Sequence, residues 1–598
     1  MSSQQEGLSA TLCLAVQENG VREGRAMKNY LDGGEAILEA FRRLEIDYVV
    51  ASPGSEWGAV WEAFARQDDG QLKGPTYLSC AHETLAVNLA TGYTAMTGRM
   101  QAVMLHTGVG LLQGSIGIDA ANRQGIPMVV VSGEALTYGE KEGFDPGPQW
   151  QGALSVVGGP HSLVDRITKW SHPVSSSYTL HEQLVRAGEI SQRQPAGPVY
   201  MSIPIETMLE DWTPPQNPRR VPRAPKPVPS AADIAHVADM LVTSENPAIV
   251  AESIGRDVEG YNATVELAEL IGAPVSESNW IDFTNFPKDH SLYQGIGPQS
   301  YLHEADVVLT LRARTPWTPP GNRPAQAKVV NIDEAPFRPH MVHQNLQADV
   351  FLEGDAIATL EALIETIRAK GIDETAVNAR RKHWEKAHKA FVAKKDNFAK
   401  EALANETISP IGLCAKMTEV LPDDCIYVDE TITHRRLIIE HLGFTGPQSF
   451  FHVSTGGLGN GLGLTLGVKL AKPDNPVVSV IGDGSFMYNP ITQSLALSKH
   501  ENLPIMIVVF NNEGYSAMRR EHHAYYPDGV AAAKNASVGH TITDLDYAEL
   551  GAPFGFFGSR VEKMDKLADS LSEGIAAVKG GCTAIINVVL DEDPSARN

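Results

Sequence analysis

Apolar and polar positions alternate along this chain in blocks rather than residue by residue. Short runs rich in Val, Ile and Leu stop abruptly at clusters of Gly, Ser, Asn or Asp, the pattern of parallel strands buried on both faces. The clearest example spans residues 477–515. An apolar run at 477–481 ends in Gly482-Asp483-Gly484, and a second at 505–510 ends in Asn511-Asn512-Glu513-Gly514. Between them, Asn489 and Pro490 read as the cap and first residue of a helix that turns Ile491 and Leu495 inward. Both polar clusters therefore fall at the carboxyl ends of parallel strands, where open α/β sheets bind their ligands.

The same rhythm runs through the rest of the chain. Asp32-Gly33-Gly34-Glu35 opens a helix carrying Ile37, Leu38, Phe41 and Leu44, and strands are predicted at 48–51, 77–80, 102–105, 127–131 and 199–203. Further strands are expected at 248–251, 307–311 and 329–332. A proline-rich, stiff segment at 213–230 and a charged helix at 371–407 divide these blocks. The predicted fold is α/β, with three doubly wound parallel-sheet domains at 29–212, 231–370 and 408–598, behind a polar extension at 1–28. At 598 residues and about 150 residues per domain, the length agrees. The middle block has no G-x-G-x-x-G after a strand, hence no dinucleotide fingerprint of its own.

A formal charge of −23 argues against nucleic acid or an anionic membrane as partner. The five cysteines (Cys13, Cys80, Cys414, Cys425, Cys582) are scattered and lack metal spacing, so free thiols in a reducing cytoplasm are expected. No apolar run reaches about 18 residues and no signal peptide is evident, so neither membrane insertion nor export is expected.

Asp483, the side chain of Asn512 and the carbonyl of Gly514 offer three hard oxygen ligands, a set that suits Mg2+ sharing its sphere with diphosphate oxygens and water. The Gly482-Asp483-Gly484 … Asn511-Asn512 pattern resembles the signature of thiamine-diphosphate enzymes. The three-block order resembles the 2-oxo-acid decarboxylase and acetolactate synthase superfamily over nearly the whole chain. That resemblance implies that the first domain binds the pyrimidine of thiamine diphosphate, the third its diphosphate, and the second is central. A nearer resemblance is to benzoylformate decarboxylase-like members, carried by Gly456-Gly457-Leu458-Gly459 through Ala471 and by Val428-Asp429-Glu430-Thr431-Ile432-Thr433.

The resemblance implies roles for single residues. Glu83, just past a strand, corresponds to the glutamate that protonates the pyrimidine ring and drives the cofactor's amino group to its reactive imino form. His106 corresponds to a histidine that exchanges protons with substrate, and Ser55, in Ser52-Pro53-Gly54-Ser55, to a serine that binds the substrate carboxylate. The carbonyl of Gly456 would accept from the aminopyrimidine, and Leu458 would prop the cofactor into its bent shape. Thr433, Ser485 and Tyr488 would contact the diphosphate end, with Gly484 and Tyr515 beside them. Gln113 is expected as a pocket amide and Met518 as cavity lining. His522-His523 reads as a surface loop rather than a second metal site.

One departure bears on substrate. Benzoylformate decarboxylases bring a second histidine from the central domain, and here that region reads Arg312-Ala313-Arg314-Thr315-Pro316-Trp317. Aryl-glyoxylate substrates are thereby put in doubt, and Arg314 or Trp317 is expected to face the pocket instead. The reading points first to a 2-oxo-acid decarboxylase using thiamine diphosphate and Mg2+. The alternatives are an acetolactate synthase-like carboligase with FAD or another nucleotide in the central domain, a 2-hydroxyacyl-coenzyme A lyase, and a non-catalytic nucleotide-binding homologue. The resemblance further implies a homodimer or homotetramer with shared active sites, acting on a small carbonyl substrate.

Overall fold

The computed structural model describes residues 31–591 apart from 135–146, 153–157, 298, 339–340, 342–346, 453–456, 535, 537, 540 and 543–544. Three six-stranded parallel sheets follow one another along the chain. The first holds β1 (Tyr48–Ser52), β2 (Thr76–Ser79), β3 (Gln101–Leu105), β4 (Met128–Glu134), β5 (Trp170–Pro173) and β6 (Pro198–Pro204) in the order β2-β1-β3-β4-β6-β5. The second holds β7 (Pro247–Ala251), β8 (Val275–Glu277), β9 (Tyr293–Ile296), β10 (Val307–Leu311), β11 (Lys328–Asp333) and β12 (Val350–Glu353) in the order β12-β11-β10-β7-β8-β9. The third holds β13 (Ile426–Glu430), β14 (Phe450–His452), β15 (Val477–Gly482), β16 (Met506–Asn511), β17 (Phe557–Val561) and β18 (Ala584–Val589) in the order β14-β13-β15-β16-β18-β17. The first and third sheets thus repeat one strand order.

The predicted strands are present, with ends displaced by up to three residues. Several strands that periodicity did not show are short edge strands, such as β5, β12 and β14. An edge strand meets one neighbour instead of two, so it needs no long apolar run. Residues 374–403 form one long helix capped by Asp373, with only Val377, His388 and Ala402 buried, as a charged connector requires. Residues 213–230 carry no helix or strand.

The helix expected after β15 is divided. A short helix, Asp483–Tyr488, comes first, and the next one, Ile491–His500, starts at Pro490 without a side-chain cap. Asn489 is not its cap: it is buried, and its side chain reaches back to Leu462 and Glu430. Ile491 and Leu495 face the core as predicted.

The first and third sheets share one hydrophobic core, in which the Glu83–Thr97 helix packs on the Gly461–Ala471 helix. Glycine makes that contact intimate. A Cβ at Gly467 would stand 2.1 Å from the Leu89 carbonyl oxygen, and one at Gly92 would stand 2.3 Å from that of Leu464. In this interface the Asn88 amide donates to Asn460 Oδ1 at 2.8 Å, and both residues are buried. Because the clash is with backbone, Gly467→Ala should cost about 1–3 kcal/mol. The check is the thermal unfolding midpoint, which should fall clearly below that of the native protein; an unchanged midpoint would show that the helices separate freely.

Candidate active site

A doubly wound sheet opens a crevice where neighbouring strands send their connections to opposite faces. In the first sheet this lies between β1 and β3, and in the third between β13 and β15. Ser55 and His106 follow β1 and β3, and Thr433 and Asp483 follow β13 and β15.

Behind β1, Trp57 is fully buried and donates from Nε1 to the Leu105 carbonyl at 2.9 Å, which pins the turn Ser55–Trp57 to the end of β3. Ser55 is exposed, and its Oγ accepts from the Gln149 amide at 3.0 Å. Glu56, which the sequence did not mark, is buried with both carboxylate oxygens 3.0 Å from His106 Nδ1, and one of them also accepts from Gln149 at 2.9 Å. The carboxylate holds the ring hydrogen on Nδ1 and leaves Nε2 as the nitrogen available to the crevice. Glycine allows the close approach, since a Cβ at Gly54 would stand 1.9 Å from His106 Nδ1. Glu83 opens a helix, half-buried and capped by His82, whose Nδ1 accepts from the Thr84 N–H. Gly110 separates it from His106: a Cβ there would be 2.9 Å from His106 Cβ and 3.1 Å from Glu83 Oε1. Thr84 Oγ1 donates to the Gln113 carbonyl at 2.7 Å, and the Gln113 side chain is exposed beside His82. Ser55, Glu83, His106 and Gln113 therefore share one rim.

In the third sheet Asp483 is buried, with Oδ1 accepting from Gly484 N–H at 2.8 Å and Oδ2 from Gly514 N–H at 2.9 Å. One carboxylate so binds the two strand-end turns to each other. Gly484 lies against the Tyr515 ring, where a Cβ would come within 2.6 Å. The paired asparagines differ in task. Asn511 is buried and tied to Asn587 and to the Glu513 N–H, whereas Asn512 is half-buried and donates to Ser516 Oγ at 3.0 Å. Glu513, directly after them, has φ +57°, a left-handed turn that a non-glycine residue adopts at a cost. Ser485 is buried, Thr433 and Leu458 are half-buried, and Tyr488 and Met518 are exposed. Gly456 lies outside the described residues.

Glu430 ends β13, within the Val428–Thr433 segment. It is buried; Oε1 accepts from the Gly459 and Asn460 N–H groups at 2.8 Å each, and Oε2 from the Asn489 amide at 2.6 Å. Burial pushes its carboxyl up to about 7, against the pull of these donors. Beside it, His452 Nδ1 lies 2.8 Å from Asp429 Oδ2, and burial lowers the pKa of this imidazole.

Three expectations change. His522 and His523 sit on the helix Ser516–Tyr525 rather than in a loop, and no group of three metal-ligating side chains occurs among the described residues. Trp317 faces no pocket, being 1% exposed within the core of the second sheet. Arg314 lines a cleft of about 420 Å3 between the first and second sheets, but Glu252 and Asp282 already pair with it. Its neighbours Arg312 and Arg338 are paired likewise, with Asp257 and Glu334 and with Asp333. The four described cysteines are unbridged.

Three family models match in sequence order: the N-terminal TPP binding domain of thiamine pyrophosphate enzymes over residues 31–155, the central domain over 234–363 and the C-terminal TPP binding domain over 433–588. A benzoylformate decarboxylase of Pseudomonas aeruginosa is 25% identical over 566 residues, covering 91% of this chain and 96% of that protein. An acetolactate synthase of Mycobacterium bovis is 24% identical over 579 residues, covering 94% and 88%. Among solved structures, the benzoylformate decarboxylase of Polynucleobacter necessarius aligns with a TM-score of 0.75 at 20% identity, over 94% of this chain and 99% of that one. Three consecutive parallel-sheet units, each matched by its own family model, with the outer two joined through a common core, place this chain in the thiamine pyrophosphate enzyme family.

Proposed function

We propose that this enzyme decarboxylates a 2-oxo acid, with Asp483, Asn512 and the Gly514 carbonyl holding Mg2+ and the diphosphate of the cofactor. The observation that carries the reading is the Asp483 carboxylate bridging the Gly482–Gly484 and Asn512–Gly514 turns. That bond joins Asp483 to the turn carrying Asn512 and Gly514, and a carboxylate, an amide oxygen and a carbonyl from these positions would make an all-oxygen set that suits Mg2+. Thr433, Gly484, Ser485, Tyr488 and Tyr515 would contact the diphosphate end of the cofactor. Thiamine diphosphate, when bound, supplies a carbon that adds to the substrate carbonyl and an electron sink for the pair released with carbon dioxide.

The protein's own groups move the protons. Glu83 would hold a proton against the pyrimidine ring. His106, kept with Nδ1 protonated by Glu56, would present Nε2 to the substrate as acceptor or donor, and Ser55 would orient the substrate carboxylate. The Pseudomonas relative is named for benzoylformate, yet no histidine stands at 312–317 and Arg314 is paired within the protein, so an aryl substrate has little support. Carboligation, as the name of the acetolactate synthase relative denotes, is the second reading, because the same activated carbon serves either outcome. FAD has weaker support, since the guanidinium groups nearest the β7–β10 crevice are already neutralised by carboxylates. Unbridged cysteines support a reducing, cytoplasmic setting. No helix among the described residues is long and apolar enough to cross a membrane.

An apolar stripe supports assembly. Val109, Leu112 and Ile116 are exposed along one side of the Gly108–Gln124 helix, beside His106, and suit burial against a second copy.

The metal assignment is tested by Asp483→Ala, which should raise the Kd for thiamine diphosphate in the presence of Mg2+ by more than about 100-fold, because losses outside the first sphere alone cost 10–100-fold. Calorimetric titration with unchanged affinity would refute it. The proton roles separate in hydrogen–deuterium exchange at C2 of bound cofactor. Glu83→Gln should slow it, whereas His106→Ala should leave it near normal and instead reduce turnover about 10²–10⁴-fold. Equal slowing in both variants would place His106 in cofactor activation. Assembly is read by sedimentation: a dimer or tetramer is expected, Leu112→Glu should shift it toward inactive monomer, and a fully active monomer would contradict the shared site.

A further inference from the structure

The segment that resemblance assigns to bending the cofactor (Gly457–Asn460) and the one it assigns to the diphosphate (Asp483–Tyr488) are distant in sequence and need a fixed separation. Glu430 touches both. Its Oε1 accepts from Gly459 and Asn460 N–H, and its Oε2 from the Asn489 amide directly after Tyr488. Asn489 completes the link: its Oδ1 accepts from Leu462 N–H at 3.0 Å, and its amide also donates to the Ser485 carbonyl at 2.9 Å. The segments meet without slack, since Gly459 has φ +102° and a Cβ there would stand 2.7 Å from the Tyr488 carbonyl oxygen. From Asn460 the chain of hydrogen bonds continues to Asn88, on the helix that Glu83 opens.

We propose that Glu430, acting through Asn489, is the positioning residue that sets the distance between the cofactor-bending segment and the diphosphate-binding segment. The inference rests on the thiamine-diphosphate reading above. Among the described residues Glu430 accepts from Gly459, Asn460 and Asn489, so its effect on the cofactor would pass through the residues it holds.

The sign of the effect separates positioning from plain electrostatics. If Glu430 acted only as a charge, removing it would favour the anionic diphosphate and tighten binding. If it positions, Glu430→Gln should weaken binding, because an amide set to accept from Gly459 and Asn460 turns its N–H2 against the Asn489 amide. Measured above about pH 8, where the carboxyl is ionised despite its raised pKa, loss of hydrogen bonds to a charged group predicts a Kd for thiamine diphosphate raised about 10- to 100-fold, with C2 exchange of the bound cofactor slowed. The complementary change supplies the rescue. In the double variant Glu430→Gln with Asn489→Asp, the carboxylate moves to position 489, where it can accept from Leu462 N–H and from the new amide at 430. Only the Ser485 carbonyl then loses a donor.

Calorimetric titration of thiamine diphosphate with Mg2+ and C2 exchange on the full chain decide the matter. Weakened single variants and a double variant restored to within about threefold of native are expected. Binding unchanged or tightened in Glu430→Gln, or a double variant no better than the singles, would overturn the proposal. Asn489→Ala keeps the Glu430 charge and its backbone donors, so it remains informative if Glu430→Gln does not fold; native affinity there would equally overturn it. Failure of the native protein to bind thiamine diphosphate would instead defeat the underlying functional reading.

Discussion

The architecture depends on two helices that touch backbone to backbone. Gly92 and Gly467 leave no room for a Cβ between the Glu83–Thr97 and Gly461–Ala471 helices, and the first and third sheets consequently bury one core. The first of these helices opens with Glu83 shortly after β2, and the second follows the segment carrying Leu458. Their contact therefore settles how the Glu83 rim stands relative to the Leu458 segment, and the Asn88–Asn460 hydrogen bond fixes that arrangement along the helix axes. Larger side chains would give more hydrophobic area but less definite geometry.

Buried charge is the second organising constraint, and the three crevices meet it differently. Carboxylates out of water need close partners. In the second sheet they find guanidinium groups: Glu252 and Asp282 with Arg314, Asp257 and Glu334 with Arg312. Those pairs leave little charge for a ligand to recognise. In the outer sheets the carboxylates find backbone N–H groups, side-chain amides and an imidazole instead. Asp483 holds Gly484 and Gly514, Glu430 holds Gly459, Asn460 and Asn489, and Glu56 holds His106. Such partners carry no full positive charge, or in the case of histidine carry one only when protonated, so these carboxylates order loops without cancelling the charge a metal or proton transfer needs.

Central strands were legible because burial on two faces demands apolar runs, and the turns behind them because ligand-binding strand ends end in Gly, Asp and Asn. Edge strands such as β5 and β14 were not, since exposure relaxes their composition. Asn489 was misread for a different reason. Before a proline it has the local signature of a helix cap, yet the partners it chose, Leu462 and Glu430, are remote in sequence. Glu56 and Glu430 went unmarked because a carboxylate beside a turn looks like any surface acid until its donors are known.

Periodicity and turn chemistry are short-range properties, so the three-unit α/β organisation, the family, and the turns that carry Asp483, Asn512, Glu83 and His106 are legible along the chain alone. Folding alone selects the carboxylate that meets His106, pairs Arg314 with Glu252 and Asp282, buries Trp317 in the core, and sets Glu430 across two segments of the candidate site. Those outcomes depend on contacts between residues tens of positions apart, where the energy of desolvating a charge selects the partner and no local pattern records the choice.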